Sequence, residues 1–79
     1  MERLNALRNY CEFKLDVLNS LLVDMEQSLE PNTKLRIHIK INIVKNLLDF
    51  KNYAHFLNEE ELQQYIEDSA DTICGFYQE

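Results

Sequence analysis

Apolar positions along the first third of the chain recur at alternating intervals of three and four: Leu4, Leu7, Cys11, Leu15, Leu18, Leu22, Met25 and Leu29. That spacing places them on one face of an α-helix over about residues 2–29. A second row, Ala6, Tyr10, Phe13, Val17 and Leu21, runs beside it at the same spacing. Asn5, Asn9, Glu12, Asp16, Ser20 and Glu26 fill the strip that remains. A surface helix needs an apolar stripe only a little wider than roughly 100°. The two rows together exceed that, so this helix carries more apolar surface than two short neighbours would cover. The excess predicts a homodimer or a docked partner.

Residues 30–33 break the pattern. Pro31 disfavours helical geometry at Glu30, and Asn32 or Thr33 is suited to cap the helix that follows. Beyond them the chain carries two patterns at once. From Leu35 to Ile43 apolar and polar residues alternate strictly, as in a strand. Over a longer reach Leu35, Ile39, Ile43, Leu47, Phe50, Ala54 and Leu57 follow helical spacing, with Ile37, Ile41, Val44 and Leu48 as a second, opposed row. Two opposed rows suit the central helix of a bundle. No other part of the chain resembles a strand, so a helix over about 33–56 is the favoured reading.

The third segment has a clear start. Asn58 is an N-cap, Glu61 its capping-box partner, and Leu57 with Leu62 can form a hydrophobic staple. Glu59, Glu60 and Glu61 suit the positive end of the helix dipole. Leu62, Ile66, Ala70, Ile73 and Tyr77 line one face of a helix over about 59–77, while Glu60, Glu67, Asp68 and Asp71 gather opposite; Gly75 loosens the last turn.

Composition sharpens this picture. With 79 residues, 46% of them apolar, one Gly and one Pro, the chain predicts a single helical domain over 1–79 rather than a disordered or strand-rich one. Its net charge of −6 is unevenly spread: −3 over residues 1–30, +4 over 31–57 and −7 over 58–79. A basic middle helix between two acidic ones favours that order of packing, although exposed ion pairs contribute at most about 1 kcal/mol each. The overall acidity argues against nucleic acid or an anionic membrane as partner. No stretch approaches a membrane span, and the charged first residues do not suit a signal peptide, so a cytoplasmic protein is expected.

Candidate chemistry is sparse. His38 and His55 match no metal-ligand or catalytic spacing, and Cys11 and Cys74 form no CxxC pair. Cys11 lies on the apolar seam and reads as a buried thiol. Neither an enzyme nor a metal or cofactor site is expected.

The alternating stretch supports a second reading. Strand 34–42 followed by two helices resembles the ribbon-helix-helix DNA-binding proteins over residues 34–77, in which paired strands enter the major groove. That resemblance implies Arg36, His38 and Lys40 directed at base edges, with the isoleucines forming a dimer core. The sequence departs from it in lacking a Gly-bearing turn between the helices and in having a long acidic helix in front.

The reading preferred here is an all-α protein of three antiparallel helices, assembled as a homodimeric bundle through the wide face of the first. It predicts a non-catalytic regulator of inhibitor, adaptor or immunity type that binds another protein, with a basic protein as the candidate partner. Tyr10, Phe13, Val17 and Leu21 are the expected anchors, rimmed by Glu60, Glu67, Asp68 and Asp71.

Overall fold

The computed structural model describes residues 2–24 and 30–77, which are helical apart from Glu30 and the short connections around residues 50–51 and 56–58. Helix α1 spans Glu2–Asp24, α2 spans Pro31–Asp49 and α3 spans Glu59–Tyr77, with a short 3-10 turn, Asn52–His55, between the last two. The predicted continuation of the first helix through Met25 and Leu29 falls outside the described residues.

Residues 34–42 are helical throughout. No strand occurs among the described residues, so the ribbon needed by the DNA-binding resemblance is not formed. Packing decides this ambiguous stretch. As a helix it buries Ile37, Ile41 and Val44 together with Leu7, Cys11 and Leu18 of α1, while Ile39 joins Ala70 and Cys74 of α3. A lone strand would have no partner to satisfy its backbone.

Both ends of α2 differ from the sequence reading. The helix starts at Pro31, not at 33, with Glu30 extended at the N-cap and Asn32 and Thr33 inside the first turn. Proline is pre-set for that first helical position, where its missing N–H is not needed. The helix stops at Asp49, not near 56, because Lys51 enters the left-handed region at φ 54. The amides of Phe50 and Lys51 close onto the carbonyls of Asn46 and Leu48. That stop changes the register of everything after it. Phe50, Ala54 and Leu57, expected on the apolar row, are exposed, and Tyr53 is the residue that enters the core.

At the start of α3 the Asn58 side chain caps as expected, whereas Glu61 reaches back to the Leu57 amide, one residue before the cap, and not to that of Asn58. The Glu61 amide donates to Asn58 Oδ1 at 2.8 Å, and the Leu57 amide donates to Glu61 Oε1 at 3.2 Å. The staple is not seated, since Leu62 is fully buried while Leu57 is 69% exposed. Gly75 sits within the helix, which continues to Tyr77.

Helix α2 is the shared element. It packs along both α1 and α3, which touch one another much less. Lys40 pairs with Glu67, and four residues earlier Arg36 pairs with Asp71 four residues later, so α2 and α3 run antiparallel. These pairs realise the expected attraction between the basic and acidic segments.

Candidate functional site

Helix α1 turns one row inward and leaves the other outside. Leu7, Cys11 and Leu18 are buried and Leu4, Leu15 and Leu22 pack at the margin of the core. On the adjoining flank Phe13 is 65% exposed, Leu21 is 37% exposed, Ala6 is exposed and Val17 is half-buried. These residues share the flank because they stand at helical intervals. Val23 is also exposed, but its position in the helical repeat places it on another side of α1.

Tyr10 belongs to the same row and has a different task. Its hydroxyl donates to Gln63 Oε1 of α3. Gln63 Nε2 in turn donates to Glu67 Oε1 at 2.7 Å, and the same oxygen accepts from Lys40 Nζ at 2.9 Å. The chain Tyr10–Gln63–Glu67–Lys40 thus links all three helices where α1 and α3 approach. Burial pushes the Tyr10 hydroxyl above its ordinary pKa, with the charges of Cys11, Glu59 and Glu67 adding to the effect. For Glu67, partial burial alone would raise the carboxyl. The Lys40 hydrogen bond and charge, with Lys14 and Arg36 behind them, outweigh it and hold the group below its ordinary value.

The four carboxylates expected to rim the α1 row are therefore dispersed. Glu67 and Asp71 are engaged with Lys40 and Arg36 of the same chain. Glu60 lines a small cleft with Arg3, Ala6 and Leu57, at the start of α3. Asp68 faces a different groove altogether. The structure brings Tyr10 and Glu67 together through Gln63 and keeps Phe13, Val17 and Leu21 as a separate apolar flank.

The groove holding Asp68 was not visible in the sequence. It is an open depression of about 710 Å³ between the C-terminal half of α2, the 3-10 turn and α3. Ile43, Leu47, Phe56, Tyr65 and Ile73 give it an apolar lining. Phe56 and Tyr65 meet as a tilted aromatic pair, with ring centroids 5.0 Å apart and planes at 52°. Arg3 Nη1 donates to the Phe56 carbonyl, which ties α1 to the segment between the 3-10 turn and α3. Only the Asn58 cap hinted at such a corner, and nothing in the spacing revealed that Lys51 would bend the chain to make it.

Cys11 and Cys74 are buried free thiols, and burial, with the Glu12 charge adding, pushes Cys11 up to about 11. Among the described residues, no three His, Cys, Asp or Glu side chains gather where they could hold a metal ion. No described helix is long and apolar enough to cross a membrane. Comparisons with protein-family models, curated proteins and solved structures find no match for the chain.

Proposed function

We propose that this chain is a small, non-catalytic helical protein that acts by binding other proteins, beginning with a second copy of itself. In this reading it regulates its partner in the manner of an inhibitor, adaptor or immunity protein. The observation that carries the reading is the outer flank of α1, where Phe13 and Leu21 remain exposed beside Val17 although the neighbouring row is covered. Burying a Phe or Leu side chain removes apolar surface worth about 1.5–3 kcal/mol. Two such flanks facing each other about a two-fold axis contribute each residue twice. A chain of 79 residues also has little core of its own, so an added interface stabilises it in proportion.

Sedimentation equilibrium from about 1 to 500 μM tests the self-association, because a dimer must dissociate on dilution. The wild type is expected to be dimeric at the upper end, and Phe13→Asp monomeric with unchanged far-UV circular dichroism. A wild type that stays monomeric throughout refutes the dimer. Loss of helix content in Phe13→Asp would mean that Phe13 supports the fold and not an interface.

A further inference from the structure

The groove between α2 and α3 is independent of the α1 flank, and its chemistry is one-sided. Among the described residues its polar lining is Asn46, Asn52, His55, Ser69 and Thr72, with Asp68 as the one carboxylate and no Lys or Arg. Asp68 Oδ1 is steadied by Gln64 Nε2 at 2.8 Å, one turn back on α3, and Thr72 Oγ1 donates to the Asp68 carbonyl at 3.0 Å. Asn46 and Leu47 belong to the last turn of α2, so the negative end of that helix dipole lies at the groove as well. The half-exposed Tyr65 ring offers a face on which a cation is attracted. Carboxylate, dipole end and ring favour positive charge above an apolar floor.

Two exposed rings lie near the groove in sequence, though neither lines it: Phe50 stands one turn beyond Asn46 and Leu47, and Phe76 one turn beyond Thr72 and Ile73. A small amine would leave the apolar lining of Ile43, Leu47 and Ile73 wet, whereas an amphipathic segment would cover it.

We propose that this groove docks a basic amphipathic segment of a partner protein, with apolar side chains over Ile43, Leu47 and Ile73 and a Lys or Arg between Asp68 and Tyr65. The proposal shares with the reading above the view that the chain is a protein-binding module; it does not depend on the α1 flank.

The test is a 15N–1H NMR titration of the full chain with two capped peptides, Leu-Arg-Ala-Leu-Leu-Arg-Ala and its counterpart with Glu in place of Arg. The Arg peptide should shift the amides of Asn46, Asn52, Ser69 and Thr72 saturably, and the Glu peptide should not. Asp68→Asn should weaken the Arg peptide about five- to tenfold, where tenfold corresponds to 1.4 kcal/mol. Tyr65→Ala should weaken it as well, and sedimentation of Asp68→Asn should match the wild type. Equal responses to both peptides, no saturable shift, shifts centred on Phe13 and Leu21, or unchanged affinity in Asp68→Asn would each overturn the proposal. So would N-acetyl-arginine amide binding as tightly as the peptide, which would make a small cation the ligand. A Phe13→Asp monomer that still binds the Arg peptide supports the groove by itself, while a monomeric wild type that binds it removes the α1 interface and leaves the groove standing.

Discussion

Lys40 and Glu67 offer the sharpest test of how the three helices are joined. Their side chains are 15% and 33% exposed and meet at 2.9 Å, between the limits of a surface pair and a buried one. An exposed pair contributes about 0–1 kcal/mol, whereas breaking a buried pair by removing one partner costs about 3–5 kcal/mol. Glu67→Gln leaves the more covered group, the Lys40 ammonium, without its carboxylate and should cost about 2 kcal/mol, in the middle of that range. Lys40→Met retains the aliphatic stem and leaves Glu67 with Gln63, Lys14 and Arg36 nearby, so about 1 kcal/mol is expected. The double variant should recover part of the loss, giving a coupling of about 1 kcal/mol by urea unfolding. Because the folded carboxyl lies below its ordinary 4.5, this stability is fully present above that pH and is lost as pH falls through the folded value. The gap between wild type and Lys40→Met should therefore narrow below pH 4.5. A coupling within about 0.3 kcal/mol of zero at neutral pH, or a gap that persists in acid, would refute the reasoning.

Further outcomes follow from three local features. Asn58→Ala removes the side-chain cap of α3 and should cost about 1 kcal/mol by chemical denaturation, whereas Asn58→Gly should cost only a few tenths. Gly75→Ala places a methyl where nothing lies within 4 Å and should raise stability by about 0.5–1 kcal/mol, seen as a higher urea midpoint. Cys11 should resist iodoacetamide at pH 8 until urea opens the fold, as followed by mass spectrometry, and rapid labelling of the native protein would contradict its burial. Its raised pKa has the opposite sign to that of Glu67, so stability should decline as pH climbs from 9.0 toward about 11.

Much of the fold was legible because the apolar spacing is strong. The row from Leu4 to Leu22 and the two opposed rows of α2 appear as expected, and so does the cap at Asn58. What spacing does not carry is a change of direction without a usual marker. Lys51 adopts a backbone region that normally selects Gly or Asn, so a helical row read through it misplaces Phe50 and Leu57 and overlooks Tyr53. The candidate site was less legible for a related reason. Glu60, Glu67, Asp68 and Asp71 look equivalent along one helix, yet α2 offers Lys40 and Arg36 to two of them and not to the others. A carboxylate's availability depends on the neighbouring helix, which a pattern within its own helix cannot express. Tyr10 shows the same limit, since its partner Gln63 lies 53 residues away.

The sharing of α2 by two poorly connected neighbours has a consequence for how the molecule opens. Detaching α1 leaves the interface between α2 and α3 intact, and detaching α3 leaves α1 still seated on α2, apart from the links through Gln63. Local unfolding is cheapest where the fewest contacts break. Amides of α2 should therefore exchange with solvent most slowly, and each outer helix should have its own opening rate. Substitutions of Ile37 or Val44 would accelerate both rates at once, because these side chains belong to the cluster shared by α1 and α3.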